Sequence, residues 1–152
     1  MENLIGSKIK RIFFNEDYLK FETDNEDCTY TVKGGCCSNS LFYDFFGVKK
    51  LLENGPVTEV KAIALNPTDI IEEKRPEWSE GLSDKKSSHS SIKVYGFAIT
   101  TVSEEFGEMT SVVSFRNYSN GYYGGWLEVA ENRTVLPEIF DDVLESAEAL
   151  KD

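Results

Sequence analysis

The sequence predicts an α+β fold: a mainly antiparallel sheet of about seven short strands, with two helices, near residues 40–54 and 137–150, packed on one side. Two observations support this fold class. Short segments rich in β-branched and aromatic residues alternate with turn residues along the chain. Two other segments place apolar residues at helical spacing. The 152 residues fit a single domain, residues 1–152, that is large enough to bury a core.

The first part of the chain predicts an antiparallel meander. Strands are expected at 8–14, 18–23 and 28–33, because each is rich in strand-forming residues and is followed by a turn signal. Alternation of apolar and polar residues should leave one face of this sheet buried. The residues expected on the buried face are Ile12, Phe14, Leu19, Phe21, Tyr30 and Val32.

A helix is predicted next, near residues 40–54. Ser38, Asn39 or Ser40 could cap its first turn. Asn54-Gly55-Pro56 would end it, because glycine favours a left-handed cap and proline cannot continue a helix. Its apolar residues recur at helical intervals; they are Leu41, Phe42, Phe45, Val48, Leu51 and Leu52.

The remaining elements are predicted from the same signals. A fourth strand is expected at 57–65, and the charged, serine-rich stretch after it predicts a mobile loop at about 67–91. Three further strands are expected at 92–102, 108–116 and 125–129. The last helix would begin near Pro137 and carry the apolar stripe Ile139, Phe140, Val143, Leu144, Ala147 and Leu150.

The net charge of the chain limits the kinds of molecule that it is expected to bind. The chain has 27 acidic and 16 basic residues and a net charge of −11, which argues against direct nucleic-acid binding, since that requires a basic surface. No apolar run approaches the roughly 20 residues that span a bilayer, and no secretory signal is recognised at the N-terminus. A cytoplasmic protein with reduced cysteines and no membrane partner is therefore expected.

Residues 114–126 carry the densest set of recognition groups in the chain. Arg116 could bind a phosphate or carboxylate, and the tyrosines and Trp126 could stack on a base or anchor a protein interface. The alternative is a hairpin whose aromatic residues pack on the sheet. The predicted ligand-binding residues are Arg116, Asn117, Ser119, Asn120, Tyr122, Tyr123 and Trp126.

Cys36 and Cys37 form a second candidate, a thiol site before the predicted helix. A cysteine there could have a lowered pKa and act as a nucleophile, with His89 as the only imidazole base. A zinc site formed with Cys28 and His89 is a second interpretation, but the cysteine spacing matches no standard motif. A turn with buried cysteines is the third. No metal or cofactor is predicted.

Three segments together resemble a family of small uncharacterised proteins carried by bacteriophages, including actinobacterial ones, and by some bacteria. They are Cys36-Cys37-Ser38-x-Ser40, Lys93-Val94-Tyr95-Gly96 and Arg116-Asn117-x-Ser119-Asn120-Gly121-Tyr122-Tyr123-Gly124-Gly125. The likeness runs from about the first strand to Trp126 and does not cover the segment from Asp69 to Ser91 or the last predicted helix. Tyr118 stands where the family more often has a small polar residue. The resemblance implies phage or prophage origin and supplies no catalytic residue.

These observations predict a non-enzymatic binding protein. It would modulate a host, as a counter-defence protein does, by binding a small nucleotide-like anion or a host protein through residues 114–126. The alternatives are an acidic inhibitor of a basic host factor and, less favoured, a cysteine-dependent enzyme. The expected compartment is the cytoplasm of the host cell. A homodimer would cover the sheet edges that short strands leave open.

Overall fold

The computed structural model describes residues 1–35, 38–65, 91–119, 124–131 and 135–143. Strands account for most of these residues. In chain order the elements are a 3₁₀ helix (Glu2–Leu4), β1 (Ile9–Phe14), β2 (Tyr18–Thr23), β3 (Cys28–Gly34), β4 (Asn39–Phe46), α1 (Val48–Glu53), β5 (Val57–Leu65), β6 (Ser91–Ser103), β7 (Gly107–Ser119), β8 (Gly125–Ala130) and β9 (Glu138–Ile139).

The strands form two antiparallel sheets that pack face to face. Sheet 1 has the order β8-β3-β2-β1-β9, and sheet 2 has the order β4-β7-β6-β5. The core lies between them: the ring of Phe14 on β1 meets the ring of Phe45 on β4 edge to face, with 4.6 Å between centroids. The chain passes from sheet 1 to sheet 2 after β3 and returns after β7. Two crossovers therefore connect the layers of the sandwich.

The predicted meander is confirmed. β1, β2 and β3 pair as consecutive antiparallel strands. The strands predicted in the second half of the chain are also present, as β5, β6, β7 and β8. All the residues expected on the buried face of the meander are buried; they are Ile12, Phe14, Leu19, Phe21, Tyr30 and Val32.

The helix predicted near residues 40–54 is wrong over its first half. Asn39–Phe46 form strand β4, which pairs with β7. A β-bulge lies between Tyr43 and Phe45. Because its extra residue shifts the alternation of side chains, Phe42 and Phe45 both face the core although they are three positions apart. A bulged strand therefore imitates the spacing of an amphipathic helix.

Only the second half of that segment is helical, as α1. Gly47 precedes α1 with a φ of 72°, a left-handed conformation that glycine adopts without a Cβ clash. The N–H of Val48 donates to Oδ1 of Asp142 at 3.0 Å, so a distant carboxylate caps α1 in place of the local serine or asparagine that the sequence predicts. α1 ends at Glu53, directly before the predicted stop at Asn54-Gly55-Pro56.

The helix predicted at 137–150 is also wrong where the structure describes it. Glu138–Ile139 form β9, which pairs with β1 in sheet 1. Val143 exchanges backbone hydrogen bonds with Phe45 of sheet 2, at 2.8 and 3.0 Å. The segment therefore connects the edges of the two sheets rather than covering one of them. Residues 144–152 lie outside the described residues.

The fold class is thus an antiparallel β-sandwich and not the predicted α+β sheet with two helices on one side. Backbone pairing with β1 and β4 outweighs the helical spacing of the apolar residues that follow Pro137. The loop predicted at about 67–91 falls outside the described residues, apart from Ser91, which begins β6. The single-domain assignment stays a prediction.

Candidate functional site

The structure brings together two motifs that are far apart in the sequence. The turn from Gly34 to Ser40 leaves sheet 1, and the block that ends at Gly125 leaves sheet 2. Gly34 on β3 lies directly opposite Gly125 on β8. The N–H of Gly35 donates to the carbonyl oxygen of Gly124 at 3.2 Å. The described ends of the two crossovers at sheet 1 therefore lie side by side.

Asn117 on β7 is fully buried where the crossovers meet. Its Nδ2 donates to Oγ of Ser38 at 3.2 Å and to Oγ of Ser40 at 2.9 Å. Both hydroxyls donate to backbone carbonyls, those of Gly35 and Lys33, each at 2.7 Å. Both serine oxygens are thus acceptors toward Asn117, which fixes the orientation of its amide. We call the following set the crossover corner: Gly34, Ser38, Ser40, Asn117 and Gly125.

The crossover corner has no room for a side chain at either glycine. A Cβ on Gly34 would lie 2.3 Å from Oγ of Ser38, and a Cβ on Gly125 would lie 2.4 Å from Oγ of Ser40. Neither glycine has a positive φ, so close approach and not backbone conformation requires glycine here. Gly125, which the sequence presents as a turn residue, is therefore explained by packing.

Tyr95 supports the crossover corner from β6, a role that sequence reasoning missed. Its Oη accepts a hydrogen bond from the N–H of Gly125 at 3.2 Å. Its ring stacks on Phe115 with 4.9 Å between centroids and 16° between planes. Phe115 is buried in the core. The Tyr95-Gly96 pair belongs to a segment that carries the family resemblance, and this was the only signal that could have singled it out.

Arg116, the predicted anion ligand, is buried, with 5% of its surface exposed. Alternation along β7 places it on the face of sheet 2 opposite to Phe115. Its cross-strand neighbours are Leu41 on β4 and Val94 on β6, and Val94 is also buried. Asn117 is held in the crossover corner. The ligand-binding role of Arg116 and Asn117 stays a prediction.

Trp126 differs from these two residues because 47% of its surface is exposed. It lies on β8 directly opposite Lys33 of β3, and the side chain of Lys33 is also exposed. Directly opposed side chains in an antiparallel pair have Cβ atoms about 4.5–5.5 Å apart. The side chains of Trp126 and Lys33 therefore start from neighbouring positions on the outer face of sheet 1.

Several predicted site residues fall outside what the structure describes. They are Asn120, Tyr122, Tyr123, Cys36, Cys37, His89 and the side chain of Ser119. The thiol site, the zinc interpretation and the tyrosine part of the ligand-binding block consequently stay predictions.

Cys28 is the cysteine that the structure does describe, and it is buried at the start of β3. Nδ2 of Asn3 donates to its Sγ at 3.4 Å, and Oη of Tyr30 donates to Oδ1 of Asn3. Burial raises the pKa of the Cys28 thiol; the side-chain hydrogen bond with Tyr30 opposes this rise, and the nearby carboxylates of Glu26 and Asp27 add to it. Burial also raises the pKa of Tyr30. The thiol is therefore kept protonated, which is unfavourable for a nucleophile.

An apolar groove of about 410 Å³ opens between the sheets. Val129 of β8 lines one side, and Val60 and Ala62 of β5 with Phe97 of β6 line the other. The N-terminal 3₁₀ helix completes its wall. Val129 is 74% exposed although it faces the space between the sheets. We call this site the inter-sheet groove; the sequence could not indicate it, because it depends on where the two sheets end.

No helix in the described part of the chain is long and apolar enough to cross a membrane. A scan against protein-family models, a search of curated proteins and a search of solved structures each found no match. The resemblance to a phage protein family therefore stays a prediction, and function has to be argued from the geometry of the chain itself.

Proposed function

We propose that the protein is a binding protein that recognises a small, planar, anionic ligand of the nucleotide type on the outer face of sheet 1. The observation that carries this proposal is the exposed indole of Trp126 beside the exposed ammonium of Lys33. The strand fixes the backbone of Trp126, and its side chain has two rotatable torsions, so little conformational freedom is lost on binding. Stacking of a base on an aromatic side chain contributes about 1–3 kcal/mol.

Lys33 supplies the charge that such a ligand requires. A phosphate could pair with its ammonium group while the base stacks on Trp126. The net charge of −11 disfavours a long polyanion, because repulsion grows with each added phosphate, and this supports a small ligand over a nucleic acid. The proposal therefore assigns the anion contact to Lys33 and not to the buried Arg116.

The biological setting of the proposal comes from the family resemblance alone. A phage or prophage protein with such a site could sequester a nucleotide signal that the host uses in defence. A host protein anchored on Trp126 is the alternative occupant, since tryptophan is enriched among residues that dominate protein interfaces.

Isothermal titration calorimetry against linear and cyclic nucleotides tests the proposal. The wild-type protein should give heat with at least one of them, and Trp126→Ala should raise the Kd by roughly tenfold or more. Lys33→Gln should raise it as well and reduce its salt dependence. Phe106→Ala is the matched control, because Phe106 is 46% exposed in the turn between β6 and β7.

Two results would contradict this function. One is the absence of heat with every nucleotide while circular dichroism shows that the wild-type protein is folded. The other is an equal loss of affinity in Trp126→Ala and Phe106→Ala, which would mean that the effect is not local to the face carrying Lys33.

A further inference from the structure

The inter-sheet groove lies beside two strand edges. β8 is the terminal strand of sheet 1 and β5 is the terminal strand of sheet 2. Among the described residues, the strand paired with β8 is β3 and the strand paired with β5 is β6. The first residue of β5, Val57, also exchanges backbone hydrogen bonds with Gly6 and Ser7. The outer side of such a strand presents backbone N–H and C=O groups that can pair with another strand. The groove therefore offers an apolar surface next to backbone groups that can hold an extended chain.

The rim of the inter-sheet groove is acidic. Glu128, which precedes Val129 on β8, and Glu131, which directly follows the end of β8, are both exposed. Glu2 lines the groove itself. On β5, the exposed neighbours of Val60 are Glu59 and Lys61. The N-terminal ammonium of Met1 also lines the groove. Even with this group and Lys61 counted, carboxylates outnumber ammonium groups around the opening, so an occupant with basic side chains would be attracted.

The same charges disfavour a second copy of this chain in the groove. Two copies would bring two acidic rims together, and each chain has a net charge of −11, so association would be opposed by like-charge repulsion. A basic partner meets no such opposition.

We propose that the inter-sheet groove binds an extended, basic segment of a partner protein, which adds to β8 as a further strand. Side chains alternate between the two faces of a strand, so Val129 faces the groove while Glu128 faces solvent. An added strand would place apolar side chains against Val129 and lysine or arginine side chains beside Glu128. The occupant is therefore a segment in which apolar and basic residues alternate.

This proposal does not depend on the nucleotide-type site, since it rests on the outer edge of β8 and on Val129, which faces away from Trp126, and it takes a different class of ligand. Glu128 shares the outer face with Trp126, so Val129→Ala and not the glutamate variant separates the two sites. Either can fail without the other. Fluorescence anisotropy tests the proposal by measuring the binding of a labelled peptide in which lysine and valine alternate. The peptide is about six residues long, which matches the length of β8. The wild-type protein should bind this peptide, and added salt should weaken the binding.

Val129→Ala should raise the Kd of the peptide by roughly tenfold, because two methyl groups lose their apolar contact. The matched control is Val135→Ala: Val135 is 88% exposed and precedes β9 at the opposite edge of sheet 1. It should leave the Kd unchanged. Both valines are exposed, so neither substitution is expected to unfold the protein.

A double variant, Glu128→Gln with Glu131→Gln, should weaken binding and flatten its salt dependence. A scrambled peptide of the same composition should bind more weakly than the alternating one, since it cannot place its valines on one face. Four results would overturn the proposal: no binding of the alternating peptide, equal binding of the scrambled peptide, equal effects of Val129→Ala and Val135→Ala, or a dimer in sedimentation experiments that Val129→Ala dissolves.

Discussion

Asn117 and Ser40 are cross-strand partners on β7 and β4, and a hydrogen bond of 2.9 Å joins Nδ2 of the first to Oγ of the second. They are 77 residues apart in the chain. Because each lies next to a crossover between the sheets, this bond fixes the two crossovers relative to each other. Part of the polar content of residues 114–126 therefore stabilises the fold.

Replacing Asn117 with alanine should lower the free energy of unfolding by about 2 kcal/mol. The substitution removes two buried hydrogen bonds, and each contributes roughly 1 kcal/mol. Urea unfolding followed by circular dichroism measures the change. Asn39→Ala is the matched control, because Asn39 is exposed on β4 next to Ser40 and should change stability by less than about 0.5 kcal/mol. Equal effects of the two substitutions would remove Asn117 from this structural role.

Gly125→Ala should also destabilise the protein, by about 1–3 kcal/mol, because the new methyl group would lie 2.4 Å from Oγ of Ser40. The partner atom can be removed by Ser40→Ala. Combining the two substitutions should then cost less than the sum of the single effects, since the closest contact is absent in the double variant. The approaches of 3.0 Å to the carbonyl oxygen of Lys33 and 3.2 Å to Cβ of Asn117 remain. Additive costs in a double-mutant cycle would show that the clash with Ser40 is not the cause.

The parts of the fold that could be predicted from the sequence are those with partners nearby in the chain. β1, β2 and β3 are joined by short turns, so their alternation of apolar residues correctly identified Ile12, Phe21 and Tyr30 as buried. β4 could not be identified in this way. Its bulge gives Phe42 and Phe45 the spacing of a helix, and only pairing with a strand distant in the chain reveals the bulge.

The same distinction applies to the candidate site: residue types can be read from the sequence, but contacts between distant residues cannot. Composition drew attention to the serine turn and to the block around Asn117 as candidate sites, and these remain predictions. A single sequence carries no information that Ser40 and Asn117 touch. The burial of Arg116 also could not be predicted from composition, because it depends on β7 being an inner strand of sheet 2. Trp126 was identified from its type alone, and its exposure follows from its position on the outer face of sheet 1, opposite the exposed Lys33.

Asp142→Ala should cost about 0.5–2 kcal/mol of stability, because α1 loses the carboxylate that accepts the N–H of Val48 at 3.0 Å. Asp142→Asn is the control, since asparagine caps helices about as well as aspartate. Thermal or urea unfolding of the two variants distinguishes the stability contributed by the capping hydrogen bond from that contributed by the negative charge. If Asp142→Asn is as destabilising as Asp142→Ala, the negative charge and not the hydrogen bond holds the C-terminal segment.

Stability should fall as the pH rises above about 9. The pKa of Cys28 is raised from its ordinary value of 9.0, and that of Tyr30 is raised from 10.0, in both cases mainly by burial. In the unfolded chain these groups lose their protons near the ordinary values, whereas the folded chain retains them. The unfolded state then binds fewer protons than the folded state, so unfolding becomes more favourable as the pH increases.

Urea unfolding at a series of pH values from neutral to alkaline tests this linkage. Below pH 9 both groups are protonated in the folded and the unfolded chain, so neither should make the free energy of unfolding depend on pH there. Cys28 should begin to lower this free energy above pH 9.0, and Tyr30 above pH 10.0. Tyr30→Phe loses the hydrogen bond to Asn3 and is expected to be about 1 kcal/mol less stable at neutral pH. Its stability should nevertheless decline less steeply at high pH than that of the wild-type protein, and adding Cys28→Ala should flatten the profile further. Parallel profiles for the wild-type protein and the double variant would show that buried Tyr30 and Cys28 are not the groups that couple folding to alkaline pH.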